Sequence, residues 1–536
     1  MLGVTTALGI DVGTTHTKVA LVDVDVPRTL AVASASTPGP ADLLRVVVDL
    51  TRRVLAAAPD APVPAAVGVA SMAETGVPIG PDDEPRGDWL RWDGHRAGAQ
   101  ADALAARLGR AELFAATGVR ASAKVPLATW AWLRDEQSGR RARSRAAAGT
   151  GERGGAVGSL HGDGRWAGAA DLVVLGLTGR LVTDHTLAGR TMAYRLGDVG
   201  TGLPAAFDAD LLAEVGLAPH QVPRVLRPGE TVPLRAGALT DAGLLAGTSV
   251  TVAGHDHAVG AFAAGVRAAG DVADSVGTSE VVCTVLAADP ERVPVAAAGM
   301  SLVRTVRGDA PALVAGSSSA GGAVAAWLAH VAPADERAAL LARASAVDDA
   351  LVALLVGDVA RMPDVAGVPA ATDAMVGAVA EGRDPFVVLP YVHGRQTPAP
   401  DAAATLRAVG LVPTDPVAAL RGVLLGAALQ ARWMLDAQAA LAGAPPARVR
   451  ALGRPMIANP AWAALKRWCS PVPLDVVADE EAVAAGAALL AAERAALATP
   501  APVLRLLPEG RPASRIARAA VGDRLGAFIG AATSSR

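Results

Sequence analysis

One pattern in this chain occurs twice, and it limits what the chain can fold into. IDVGTTHTKVALV, Ile10–Val22, and DSVGTSEVVCTVL, Asp274–Leu286, both read as strand, Val-Gly-Thr-hydroxyl turn, strand. Asp11 falls opposite Ser275, Gly13 opposite Gly277, Thr14 opposite Thr278 and Thr15 opposite Ser279. A tight glycine turn exposes backbone N–H groups, and neighbouring hydroxyls add donors, so each tip can cradle a phosphate oxygen. Two such tips, one from each of two domains, would grip a polyphosphate between them. Taken singly, each is also readable as an ordinary hairpin turn.

With 536 residues the chain is too long for one ordinary core, and two domains of a few hundred residues are expected. The expected division is 1–264 and 265–498, followed by a Pro- and Arg-rich tail, 499–536, that is partly disordered. An apolar fraction of 51% beside 19% charged residues describes a folded globular protein. The net charge of −3 gives no reason to expect nucleic acid as a partner. Two cysteines, Cys283 and Cys469, are too few for a disulfide framework and suit a reducing cytoplasm. No basic segment leads an apolar one at the N-terminus, so no secretory signal is expected. The uncharged span 310–334 is broken by Ser317, Ser318, Ser319, Gly321 and Gly322. It reads as a glycine-rich turn leading into a buried helix rather than as a membrane span.

Apolar spacing predicts a helix over 42–58 and a short buried strand over 65–70. Long helices are predicted over 416–441 and 480–496. The segment 134–168 contains EQSGRRARSRAAAGTGERGG and reads as a mobile basic surface loop, since no aromatics interleave with its arginines.

The chemistry of the first tip is that of a nucleotide site. Asp11 ends a strand and would attract Mg²⁺, usually through water because that ion gives up its shell reluctantly. Lys18 lies just past the tip. VTVAGHDHAVGAFAAG, Val250–Gly265, puts Asp256 after an apolar strand and before a small-residue helix. A carboxylate there can point into a cleft and accept a proton from an attacking hydroxyl. Two other roles stay open: Asp256 as a helix N-cap, and His255 with His257 as a metal pair. His257 reads best as a hydrogen-bonding wall of the cleft. Neither a G-x-x-x-x-G-K-[ST] loop nor the paired motifs of protein kinases occur.

In order and spacing these motifs resemble the FGGY carbohydrate kinases, over about Ala7–Ala492. GIDVGTTHTK is similar to that family's first phosphate motif, SVGTS to its second, and AGHDHAVGA to the segment with its catalytic aspartate. LTGRLVTD, GSSSAGGAVAAWL, PYVHGRQTP and DEEAVAAGAALLAA resemble further family segments. The resemblance implies an α/β chain with the two-domain, actin-like or ribonuclease-H-like ATPase fold and a central interdomain cleft. It implies ATP and Mg²⁺, with Asp256 as general base and Asp11 as the Mg²⁺ partner. Phosphate contacts would come from Gly13, Thr14, Thr15, Lys18, Gly277, Thr278 and Ser279, with Gly322 lining the nucleotide cleft. Glu74, Trp92, Arg96 and His257 would face a sugar or polyol, most plainly a ketopentose such as xylulose. No nucleic acid or membrane partner is implied, and a homodimer is admitted.

Three departures stand out. Arg395-Gln396 replaces the family's usual Glu-Arg. GRPMIAN, Gly453–Asn459, replaces a Gly-Gly-Gly on the adenine side, leaving Asn459 as a weak carry-over. Asp93 sits one place early in the substrate loop. They motivate a rival on the same fold, a catalytically impaired sugar or nucleotide sensor.

Overall fold

The computed structural model describes residues 4–146, 160, 162–197, 202–348, 351, 386–497, 503–507 and 515–534. Its backbone is two sheets built to one plan. In the first, β1 (Thr6–Val12), β2 (His16–Asp23), β3 (Arg28–Ser36), β4 (Ala66–Ser71) and β5 (Ser249–His255) lie in the order β3-β2-β1-β4-β5. In the second, β6 (Asp271–Val276), β7 (Glu280–Val285), β8 (Pro311–Ser317), β9 (Arg448–Leu452) and β10 (Leu474–Val477) lie in the order β8-β7-β6-β9-β10. In both sheets the first three strands are antiparallel neighbours and the last three are parallel. Short strands extend the edges: Val232–Pro233 in the first sheet, Ser301–Arg304 and Leu506–Leu507 in the second. The doubled motif of the sequence is therefore a doubled topology, and the two Val-Gly-Thr turns join corresponding strands. This is the expected two-domain, actin-like α/β fold.

β1 and β4 are buried along their whole lengths, as strands covered on both faces must be. Leu43–Ala57 packs on β2 and β3. Ala482–Arg494 covers β1, β4 and the helix Asp256–Ala263. Its approach is backbone-close: a Cβ on Gly9 would sit 1.8 Å from the Ala484 carbonyl oxygen, and one on Gly68 2.0 Å from that of Ala487. Small residues on both sides are what let this helix, encoded near the end of the chain, complete the first sheet.

Several expectations need correction. The first part of the span 310–334 is the strand β8, Pro311–Ser317, and the expected turn and buried helix follow it, the helix beginning at Gly321. The loop expected over 134–168 is cut back at both ends. Pro126–Ala146 is helical, and Arg165–Gly168 pairs with Gly76–Ile79. Buried Leu127, Trp130 and Leu133 nucleate that helix, and Arg, Ala and Gln have the propensity to carry it onward. Residues 147–159 of that loop lie outside the described residues.

The tail likewise carries a helix, Arg515–Thr533, that seats Val521, Leu525, Phe528 and Ala532 in the core of the second half. The three larger side chains supply about 1.5–3 kcal/mol each on burial. Arg395 Nη1 donates to the Ala532 carbonyl at 2.6 Å and Arg407 Nη2 to that of Ala531 at 2.5 Å, tying off the helix's last carbonyls. No helix among the described residues is long and apolar enough to cross a membrane.

Candidate functional site

The first tip is braced from beneath. Gly13 N–H donates to the His16 carbonyl at 3.0 Å, and the Thr37 hydroxyl donates to the Gly13 carbonyl at 2.7 Å. Thr15 is exposed at the tip. Asp11 stands across the strand pair from Lys18 and is buried, with Oδ1 lacking any protein partner. Burial, and then the like charge of Asp256, push its carboxyl up to about 7, with Lys18 opposing. Lys18 Nζ lies 2.5 Å from Glu481, at the start of the late helix. A buried acceptor-only oxygen with no donor, flanked by a second carboxylate, is what a divalent cation would satisfy.

Asp256 is aimed by a backbone irregularity. The register of β5 on β4 shifts between Val252 and Gly254, and Gly254 has φ 131°. A Cβ there would meet Thr186 Oγ1 at 2.5 Å and Asp184 Oδ1 at 2.9 Å, so only glycine fits. The N-cap position then falls to His255, and Asp256 is the first helical residue rather than the cap. Its Oδ1 accepts from the His257 N–H at 2.7 Å and lies 3.1 Å from His255 Nε2 and 3.7 Å from His257 Nε2. His255 N–H donates to the Thr186 hydroxyl at 2.9 Å, and that hydroxyl donates to Asp184 at 2.6 Å. Burial pushes Asp184 up, but His185 and Arg494 hold it far below the usual carboxylate range. Burial, then His257, Arg190 and Lys124, hold His255 well below its ordinary value, so it is neutral at pH 7. The ligand atoms of His255, Asp256 and His257 could gather round an ion. Two cations within electrostatic reach of His255 oppose that.

Those two cations, Lys124 and Arg190, are the residues the sequence reading missed. Glu74 sits at φ 63°, its side chain 8% exposed, with Oε1 accepting from Arg190 Nη2 at 2.6 Å and Nε at 3.2 Å. Lys124 Nζ lies 3.7 Å from Oε2. Burial pushes Glu74 up, but Arg190 and Lys124 outweigh it and keep the carboxyl below its usual value. Arg190 Nη1 is buried without a protein partner. Trp92 joins this end to the first tip, its Nε1–H donating to the Thr14 hydroxyl at 3.0 Å. His257, Arg190, His255 and Thr186 line a cavity together with Arg304, Thr305 and apolar residues such as Phe262 and Val285.

The second tip is built with the help of GSSSAGG. Gly277 N–H donates to the Ser279 carbonyl at 2.8 Å. Gly321 N–H donates to the Gly277 carbonyl at 3.0 Å, and the N–H groups of Ala320 and Gly322 both donate to the Thr278 carbonyl at 2.9 Å. The glycines of that segment thus dock a helix N-terminus on the tip; a Cβ on Gly321 would lie 2.6 Å from the Gly277 carbonyl. Thr278 itself is exposed. Two expected site residues are placed differently. Asn459 is buried and spends its Oδ1 capping the helix Pro460–Cys469 through the Trp462 N–H at 2.9 Å. Arg96 is exposed, its guanidinium 5.7 Å above the Trp132 ring. Arg395, in the altered signature, works structurally, bonded to the C-terminal helix and set against Tyr391 and Trp433.

Comparison with known families resolves what this constellation belongs to. The N-terminal domain model of the FGGY family of carbohydrate kinases matches residues 6–263, and its C-terminal domain model matches residues 272–495. The chain belongs to the FGGY family. A xylulose kinase of Streptomyces rubiginosus is 29% identical over 291 residues, 52% of this chain and 54% of that protein. One from Streptomyces coelicolor is 30% identical over 290 residues, 51% and 52% of the two chains. The match thus spans about half the length of these curated relatives. Among solved FGGY-like folds, the gluconate kinase of Lactobacillus acidophilus superposes with a TM-score of 0.75 at 17% identity, over 98% of this chain and 97% of that one. The xylulose kinase of the same organism gives 0.75 at 18% over the same shares. The Plasmodium falciparum glycerol kinase with ADP gives 0.73 at 13%, over 100% and 99%.

Proposed function

We propose that this FGGY protein transfers the γ-phosphoryl group of ATP to a sugar hydroxyl, with a ketopentose such as xylulose as acceptor. The observation that carries the proposal is the pairing of Asp256 with Asp11. One carboxylate is delivered to a strand end by a bulge that only glycine permits, within electrostatic reach of a second that is buried and short of a donor. Resemblance to two Streptomyces xylulose kinases supports the choice of acceptor.

Phosphoryl transfer asks the protein for alignment and charge stabilisation rather than covalent help. Alignment alone can lower the barrier by roughly 7–11 kcal/mol. Glu74, Lys124, Arg190, Trp92 and His257 bind and orient the acceptor, with the unpartnered Arg190 Nη1 free to meet a sugar oxygen. Asp256 Oδ2 takes the proton of the attacking hydroxyl, while the His257 N–H donates to Oδ1, with His255 Nε2 3.1 Å away, and fixes the carboxylate plane. The tips at Gly13–Thr15 and Gly277–Ser279, with Lys18, steady the phosphates. Mg²⁺, when bound beside Asp11, supplies counter-charge to the polyphosphate. Retention of Asp11, Lys18, Thr278 and Asp256 argues against the sensor alternative, since a binder needs no base.

The test is a panel of sugars and polyols with ATP and Mg²⁺, read as ADP formed. Xylulose-dependent ADP release is expected; release independent of every acceptor, or none with any, would overturn the assignment. For Asp11→Asn, the Mg²⁺ concentration giving half-maximal MgATP binding should rise about 10- to 100-fold, as for other groups that hold a metal through its shell. An unchanged Mg²⁺ titration would remove Asp11 from the metal site.

A further inference from the structure

Beneath the second tip lies a group of charges that the transfer chemistry does not use. Lys466, Asp274 and Glu280 have side chains only 1–2% exposed, and Lys466 Nζ is bonded to both carboxyls. Asp274 lies in β6 and Glu280 opens β7, so the pair brackets the Val-Gly-Thr-Ser turn. Lys466 comes from the helix Pro460–Cys469, which directly follows GRPMIAN. The same two parts touch at a second place. Gly453 approaches the end of β6 so closely that a Cβ would lie 2.1 Å from the Val276 carbonyl oxygen.

Two carboxylates on one ammonium would leave a net buried charge, a costly arrangement. The unpaired atoms show how it is avoided. Asp274 Oδ1 and Glu280 Oε2 are both buried without a donor, and the two carboxyls are near enough to hydrogen-bond one another. A single proton held between them satisfies both and makes the trio neutral. We propose that Lys466, Asp274 and a protonated Glu280 form a buried clamp that holds the second tip in register with GRPMIAN, making Lys466 and Glu280 positioning residues for ATP. The proposal rests on the reading of that tip as a phosphate site.

Burial first, and then Asp274, raise the Glu280 carboxyl to about 8 against the pull of Lys466. Burial lowers Lys466, but Asp274 and Glu280 outweigh it and raise the ammonium to about 12, so it stays charged. Other ionisable groups on the packed elements are held apart from this exchange. Arg432, on Pro416–Ala442, pairs with Asp436 and donates to the Cys469 carbonyl. Arg524, on the C-terminal helix, lies over Trp468. Burial pushes the Cys469 thiol up to about 12, so it is neutral. The clamp is therefore intact below about pH 8 and gains an uncompensated charge above it.

The experiment is direct titration of MgATP binding against pH for the whole protein and for Glu280→Gln, which keeps the shape and donor of the protonated acid. The dissociation constant of the unaltered protein should rise above about pH 8, by up to about tenfold per pH unit. That of Glu280→Gln should match it at neutral pH and stay flat above. Lys466→Met should raise the ATP KM while leaving the sugar KM unchanged; if it does not fold, Glu280→Gln alone decides. Parallel pH profiles for the two proteins would overturn the clamp and leave the kinase assignment standing. Absence of MgATP binding at any pH would overturn both.

Discussion

Asp256→Ala is expected to lower kcat by roughly 10²–10⁴-fold, the usual contribution of a positioned general base. MgATP binding should remain close to that of the unaltered protein, because the tips and Lys18 are untouched. The geometry sharpens this expectation. His255 Nε2 lies 3.1 Å from Asp256 Oδ1, and burial with the nearby cations holds its imidazole well below its ordinary value, so it would be a poor base in place of Asp256. A variant with a near-normal rate on the true acceptor would remove Asp256 from the mechanism. A lost rate with equally lost nucleotide binding would mean that the residue holds the strand end instead.

The second large effect is expected at Arg190. Removing its guanidinium leaves Glu74 buried with only the looser contact to Lys124. Breaking a buried pair from one side costs about 3–5 kcal/mol. Arg190→Ala should therefore lower thermal stability markedly and abolish acceptor binding. Arg190→Met combined with Glu74→Gln should regain much of the stability and none of the activity, because no charge is then stranded. Losses in the double variant equal to the sum of the single ones would show that the two residues are energetically independent.

What could be read from the sequence was what repeats or alternates locally. The paired hairpins, the buried strand β4, the long helix at Pro416–Ala442 and the strand end at Asp256 all follow from short-range patterns. Glu74 and Trp92 were found by resemblance, but their partners were not. Lys124 sits in a loop and Arg190 in a single turn of 3₁₀ helix, and neither has a spacing that announces a contact with Glu74. Lys466 was invisible for the same reason, since its partners lie nearly two hundred residues away. The C-terminal helix did leave a signal, apolar residues at 521, 525, 528 and 532, masked by the Pro- and Arg-rich stretch before it. Gly13 and Gly277 corrected a physical assumption. Neither has a positive φ, so neither turn needs glycine's backbone freedom; a Cβ on Gly13 would instead crowd the His16 carbonyl oxygen at 3.0 Å.

The late helix Ala482–Arg494, wedged against Gly9 and Gly68, has a consequence for biosynthesis. The amino-terminal sheet leaves the ribosome with one apolar face uncovered, and its lid is still unmade. At 5–20 residues per second the wait is roughly ten to fifty seconds. During that interval the nascent half depends on chaperones or on loose collapse to stay out of aggregates, and a gene split between the two halves would produce an orphan that never acquires its cover.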